Sequence, residues 1–264
     1  MRKVLTIAGS DSCGGAGIQA DLKTFAAHGV YGMSVITAVT AQNTRGVFAV
    51  QDISPEVIEK QIEAIFDDIG VDAIKIGMVS RTESITTIAA TLQRYPVQNL
   101  VVDPVMVSKS GFHLLQPDAR DALIECLLPL ATLVTPNLAE AEVIVGVPLD
   151  SVEGMVSAAR KIHGMGPEHV LVKGGHLDGD AVDVLYDGHS LTYFSAPRID
   201  SNNTHGTGCT LSSAIASNLG KGLPVETATE KAKEYITAAI EHSFSIGKGV
   251  GPVHHFHAFD FGDE

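Results

Sequence analysis

A chain of 264 residues with 45% hydrophobic and 19% charged residues can bury the core of one large α/β domain, and no Pro/Ser-rich linker, low-complexity tract or internal repeat divides it. The formal net charge of −13 argues against nucleic acid as a partner, since duplex binding rests on clustered Lys and Arg. Apolar runs of only strand length leave no membrane span, Met1-Arg2-Lys3 leads straight into a strand-like run and not a secretory signal, and Cys13, Cys126 and Cys209 are too scattered for a disulfide framework or thiolate zinc site, so one cytoplasmic domain over residues 1–264 is expected.

In chain order, β-branched apolar runs at 4–8, 34–41, 73–76, 100–102, 132–134 and 170–172 read as strands. The helical patterns 55–68, 82–95, 117–128, 137–145 and 152–165 lie between them. This alternation predicts an α/β fold with a mostly parallel central sheet covered on both faces. The runs 181–186 and 190–194, joined by Asp187-Gly188-His189, predict a hairpin at a sheet edge, and helices near 208–219 and 224–242 follow.

Ligands of open α/β sheets lie beyond the carboxyl ends of the strands, so the residues after each strand are the first candidates. They are polar and glycine-rich. Gly9-Ser10-Asp11 and Gly14 to Gly17 follow the first strand, Gln42-Asn43-Thr44 the second, and Gly77-Met78 the third. Asp103-Pro104-Val105 follows the fourth, Pro136-Asn137 with Glu140 the fifth, and Lys173-Gly174-Gly175 the sixth.

Two nucleotide signatures fail. Gly15 to Ala20 satisfies GxGxxA, but a dinucleotide site also needs an acid about 20 residues further on, and none occurs between Asp21 and Asp52. Walker A is missing too, because Gly220-Lys221 and Gly247-Lys248 are each followed by glycine. Asn137 and Glu140 open a helix, where they suit a magnesium ion held partly through water and suit a capping box equally well. Asp103 ends a very apolar strand and costs desolvation unless something cationic or donor-rich faces it. Lys173 can reach phosphate oxygens across its glycines, or stand exposed at a turn. Asp21, one turn beyond Gly17, either faces the glycine-loop cleft or is a solvated first-turn acid. His254, His255 and His257 are set aside as a metal site, since structural zinc wants four converging ligands.

The most informative segment is Asn202 to Thr210. A helix starting near Gly208 leaves its first N–H groups unpartnered, and these donors with the positive helix end favour a phosphate. Gly206 and Gly208 let the backbone approach it, and the same field is expected to lower the pKa of Cys209. The alternative is that Thr207 caps a buried helix and Cys209 is a small core hydrophobe.

Together, Gly14 to Thr24, Ala41 to Thr44, Lys75 to Met78, Asn137 to Glu140, Lys173 to His176, His205 to Thr210 and Gly251 to His257 resemble the hydroxymethylpyrimidine and phosphomethylpyrimidine kinases of thiamine biosynthesis. The resemblance runs through nearly the whole chain. It implies a ribokinase-like three-layer α/β/α sandwich, a homodimer, and a bifunctional enzyme. That enzyme would use ATP and Mg2+ to phosphorylate 4-amino-5-hydroxymethyl-2-methylpyrimidine and then its monophosphate. It would set Gln42 against the pyrimidine and Met78 and Val105 in the pocket wall, with Gly17 and Asp21 as further substrate contacts. Cys209 would be catalytic, supported by Gly206, Gly208 and Lys173. Lys173, Thr207 and Thr210 would meet the nucleotide phosphates, and Asp103 and Glu140 would lie near magnesium. Sugar kinases of the wider fold usually carry an aspartate where this chain has Cys209. Two other readings remain: a pyridoxine, pyridoxal or pyridoxamine kinase, and a ligand-binding protein without turnover on the same scaffold. Residues 9–17 and 108–111 are the expected mobile segments.

Overall fold

Successive strand residues point to opposite faces, and in this chain both sets are apolar. Leu5, Ile74, Leu100, Val102, Val134, Val170 and Val172 join one buried cluster, and Val4, Ala73, Val101, Leu133 and Leu171 join the other. A sheet written this way must be covered twice. The computed structural model describes residues 1–106, 114–116, 118–175 and 179–259, and it has that layering. The helices α1 (Gly17–Ala27), α7 (Thr207–Gly220) and α8 (Val225–Glu241) cover one face. On the other lie α2 (Pro55–Asp68), α3 (Thr82–Leu92), α4 (Ala119–Ala122), α5 (Leu138–Val145) and α6 (Val152–His163). Among the described residues no helix is long and apolar enough to cross a membrane.

The sheet contains β1 (Lys3–Asp11), β2 (Tyr31–Asn43), β3 (Gly46–Asp52), β4 (Ala73–Ile76), β5 (Leu100–Val102), β6 (Leu133–Val134), β7 (His169–Val172), β8 (Ala181–Tyr186) and β9 (Leu191–Ala196). Their order is β3-β2-β1-β4-β5-β6-β7-β8-β9, parallel from β2 through β7. The expected hairpin is β8 and β9, antiparallel at one edge. The opposite edge carries β3, antiparallel to β2 and absent from the sequence reading. Most of its residues are partly or fully exposed, which leaves the run without the apolar signal of the inner strands. The helix expected at 117–128 is also different. From Ala119 it widens into one π turn over Leu123–Leu127 and a 3-10 turn over Leu128–Leu130, where Pro129 has no N–H to continue an α-helix. Pro117 and residues 108–111 lie outside the described residues.

The chain leaves β1 toward β2 on one side and later returns to β4 on the other. That reversal opens a crevice at the carboxyl ends of β1 and β4, the usual place for a ligand in an open α/β sheet.

Candidate active site

A cavity of about 760 Å³ occupies that crevice. Two irregularities shape its rim. The register of β1 against β2 shifts between Ala8 and Ser10, at Gly9, and that of β2 against β3 shifts between Ala41 and Gln42. The extra residues fall on β2 and β3, and beside these irregularities Gly9 lies against Met78 and Gln42 lines the cavity. Gly17, Gln42, Met78 and Val105 all line this cavity.

Gly206, Thr207, Gly208 and Cys209 line the same cavity. α7 begins at Thr207, and its N-cap is Gly206 itself, at φ +79°. A side chain there would strain the backbone and place a Cβ 1.8 Å from the Gly15 carbonyl oxygen, so glycine is required on two counts. No side chain caps this helix, and the Thr207 hydroxyl donates instead to the Thr204 carbonyl at 2.8 Å. The Thr207 N–H donates to the Thr204 carbonyl at 3.4 Å, and Gly208 and Cys209, whose first-turn N–H groups lie too early for an intrahelical partner, line the cavity as an anion cradle would.

Lys173 and Asp103 reach the same place from β7 and β5. The Lys173 ammonium is 2.8 Å from Asp103 Oδ1, which also accepts from the Thr135 hydroxyl at 3.2 Å. A Cβ on Gly208 would stand 3.4 Å from Lys173 Nζ and 3.6 Å from Asp103 Oδ2, which fixes the pair beside the helix start. Burial works against the Lys173 charge, but Asp103 and Glu140 outweigh it and hold the ammonium above its ordinary value. Burial likewise opposes the Asp103 carboxylate, and Lys173 and Lys75 hold it below the usual range. Glu140 is different. Burial pushes its carboxyl up to about 7 against the pull of Lys173, with Asp103 adding to the rise. It also makes the full capping box with Asn137, at 2.8 and 2.9 Å, so the capping and the cavity roles coexist.

Three expectations need correction. Asp21 does not face the cleft. It is fully buried, within 2.9 Å of Lys75 Nζ through both oxygens, and accepts from Thr6 and Ser213 hydroxyls at 2.6 Å. It lies beyond the first turn of α1 and points inward, where the buried lysine on β4 needs a carboxylate. Thr210 is fully buried too, with its hydroxyl 3.1 Å from His255 Nε2 and its side chain turned from the cavity. Cys209 lines the cavity, but its thiol is not activated. Burial pushes it up to about 11, and although Lys75 opposes that rise, Asp21 and Asp103 add to it.

The sequence placed Asp11 after a strand end and His205 and Lys75 within the resembling segments but gave none of the three a role. His205 Nε2 lies 2.8 Å from Asp11 Oδ2 and ties the loop before α7 to the end of β1. With Cys13 these two form the one group of close metal-ligand types among the described residues. It fits an ion poorly, because Asp11 already accepts three backbone N–H groups and the histidine. Lys75 had a visible signal, a cation inside the apolar run Ala73-Ile74-Lys75-Ile76. In the histidine tail, His255 meets Thr210 and His257 packs on Tyr235. His176 lies outside the described residues.

A family model described as phosphomethylpyrimidine kinase matches residues 11–254. The hydroxymethylpyrimidine/phosphomethylpyrimidine kinase of Rhizobium meliloti is 58% identical over 257 residues, covering 96% of each chain. The crystal structure of phosphomethylpyrimidine kinase from Clostridium difficile superposes with a TM-score of 0.82 at 53% identity, covering 91% of this chain and all of that one. An ADP complex of Bacillus subtilis pyridoxal kinase superposes with a TM-score of 0.91 at 44% identity, covering 98% of each.

Proposed function

Because the chain belongs to the phosphomethylpyrimidine kinase family, we propose that it transfers the terminal phosphoryl group of ATP first to the hydroxymethyl oxygen of 4-amino-5-hydroxymethyl-2-methylpyrimidine and then to the monophosphate so formed. The observation that carries this reading is one cavity lined by two chemically distinct sets of residues. The Gln42 amide offers a donor and an acceptor to an aminopyrimidine edge, and Met78 and Val105 supply apolar walls. The start of α7 at Gly206 to Cys209 and the Lys173 ammonium suit a phosphoryl group that spreads charge over its oxygens in transfer.

Asp103 and Glu140 are the residues that would hold magnesium. Both carboxyl groups are buried near the Lys173 ammonium, and the Glu140 carboxyl is raised to about 7 by burial first and by Asp103 in addition, a rise that a bound cation would oppose. Magnesium bound there would supply charge neutralisation at the ATP phosphates. The protein residues do the rest: Gln42 orients the ring, the α7 terminus receives the phosphoryl oxygens, and Cys209, as thiolate, accepts the hydroxymethyl proton. In the second transfer the nucleophile is an already ionised phosphate, which needs no base. The proposal includes a homodimer in the cytoplasm.

Single-step assays of ADP release with the pyrimidine, its monophosphate and pyridoxal test the reading. Turnover of the first two is expected, with pyridoxal the poorer substrate. The pyridoxal kinase likeness makes that third substrate the relevant rival, and a higher kcat/KM for pyridoxal would overturn the assignment. Binding of the pyrimidine without ADP release would instead favour a ligand-binding protein.

A further inference from the structure

Gln42 lies between two groups whose hydrogen atoms are already committed. On one side its amide Nε2 is 3.4 Å from His205 Nε2, and that ring nitrogen is 2.8 Å from Asp11 Oδ2. Asp11 also accepts the backbone N–H groups of Cys13, Gly15 and Ala16 at 2.8, 3.1 and 2.9 Å. Burial pushes its carboxyl up, but the His205 hydrogen bond and these N–H groups outweigh burial and hold it below its ordinary value. A carboxylate oxygen has only lone pairs to offer, so His205 Nε2 carries a hydrogen and points it at Asp11. That holds for the neutral and the charged ring alike. His205 Nε2 therefore has no lone pair for an amide N–H.

The other side gives the same answer independently. Thr40 Oγ1 is 2.9 Å from the Ser10 carbonyl and 3.2 Å from Gln42 Oε1. A hydroxyl has one hydrogen, and the shorter contact to the carbonyl takes it. Thr40 Oγ1 is then an acceptor facing another acceptor. Turning the amide end for end only exchanges its N and O: the carbonyl then faces the His205 N–H, whose hydrogen goes first to Asp11 at 2.8 Å and is at most shared with Gln42 at 3.4 Å, and an amide N–H donates to Thr40. The His205 ring has no room to give way, since a Cβ on Gly15 would stand 2.3 Å from its Cδ2.

We propose that Asp11 and His205 are positioning residues that fix the Gln42 amide with its oxygen toward the anion loop and its nitrogen toward Thr40, and so set the order of acceptor and donor offered to the substrate ring. His205 directly precedes Gly206, so the amide oxygen lies on the side where the hydroxymethyl arm must reach. The ring substituent next to that arm meets an acceptor. In the aminopyrimidine it is the 4-amino group, a donor, and the neighbouring ring nitrogen beyond it accepts from the amide N–H. In pyridoxal the corresponding neighbour is an aldehyde, an acceptor, which finds no hydrogen there. The identity of the ring rests on the pyrimidine reading above; the orientation of the amide does not.

The test has two arms. In the first, kcat/KM for the pyrimidine and for pyridoxal is measured in wild type, His205→Leu and His205→Gln. Removing the His205 N–H leaves Thr40 alone to orient the amide, and the ratio of the two substrates is expected to fall roughly 10- to 100-fold in His205→Leu, the span of one misplaced buried hydrogen bond. His205→Gln, whose amide N–H groups can donate to both Asp11 and Gln42, should keep most of the ratio. In the second arm, NMR of the labelled wild-type protein reads the amide directly. A Gln42 side-chain amide proton close to the Thr40 methyl group supports the proposal, and one close to the His205 ring overturns it. An unchanged substrate ratio in a folded His205→Leu protein also overturns it. Failure of wild type to turn over the pyrimidine would sink the functional reading, while the NMR arm would still decide the orientation.

Discussion

Replacing Lys75 by Met tests whether the fold beneath the site depends on the Lys75–Asp21 pair. Both side chains are completely buried, and Nζ lies 2.9 Å from each carboxylate oxygen. Burial acts against the ammonium, but Asp21, with Cys209 and Asp103 further in support, more than offsets it and raises Lys75 above its ordinary value. Removing one partner of such a pair strands the other charge, which costs about 3–5 kcal/mol. Thr6 and Ser213 still donate to Asp21 in the variant, so the lower end, about 3 kcal/mol, is expected. That is a large part of a typical stability of about 5–15 kcal/mol, yet leaves a folded protein. Lys75→Met with Asp21→Leu should lose less than the two single variants added together, because no charge is left buried, although the two hydroxyls lose their acceptor at about 1–3 kcal/mol each. Urea unfolding at constant m of wild type, both single variants and the double gives the comparison. A single variant within about 1 kcal/mol of wild type, or a double variant as unstable as the sum of its two singles, refutes the reasoning.

Gly206→Ala forces a Cβ onto the Gly15 carbonyl at φ +79°, so both phosphoryl transfers should slow together by roughly a hundredfold or more; a loss confined to one of them would separate Gly206 from the shared cradle. Cys209→Ala should slow the first transfer by roughly 10²–10⁴ and the second far less, and equal losses would assign Cys209 to binding the transferred group. With the thiol at about 11, only about one molecule in 10⁴ holds the thiolate at pH 7, so the first transfer should quicken about tenfold per pH unit between pH 6 and 9, whereas a flat profile removes Cys209 as base. Burial, with Lys23 and His254 nearby, lowers His255 to about 4 from 6.5, so the unfolded chain binds the proton more readily. The stability this neutral ring contributes is whole above pH 6.5 and lost as pH falls from there to about 4, on the order of 3 kcal/mol in all, and His255→Gln should flatten the fall of the urea midpoint over that range.

The parts of the site legible in the sequence are those that local pattern governs. Strand ends can be read from apolar runs, and Gln42, Met78, Asp103, Val105 and Lys173 follow strand ends. Gly206 to Cys209 could be read because a helix start and its glycines are contiguous. What stayed hidden depends on partners far away along the chain. Asp21 has the same local context whether it faces solvent or Lys75, 54 residues on, and only the packing of α1 against β4 and α7 decides. Asp11 and His205 are 194 residues apart. The error at Cys209 has the same origin: the helix terminus is a local feature and lowers a thiol's pKa, but the burial and the two carboxylates that outweigh it belong to the tertiary structure.

The start of α7 shows why the glycine motif alone would not make this site. Residues 210 to 220 are buried all round the helix, so the segment cannot be held by one apolar stripe. Its first turns carry Thr210, Ser212 and Ser213, hydroxyl residues that are poor interior helix formers because they compete for backbone groups. Each has a partner on a different element. Thr210 lies 3.1 Å from His255, Ser212 lies 3.3 Å from Asp103 at the end of β5, and Ser213 donates to Asp21 of α1 at 2.6 Å. At 100° per residue these three positions are spread around the axis, so the ties oppose both rotation and sliding of the helix. Donors that stabilise charge developing in a transition state are effective to the extent that they need not reorganise. The weak local helix propensity is therefore offset by tertiary ties that hold the N–H groups of residues 206–209 in place before any anion arrives.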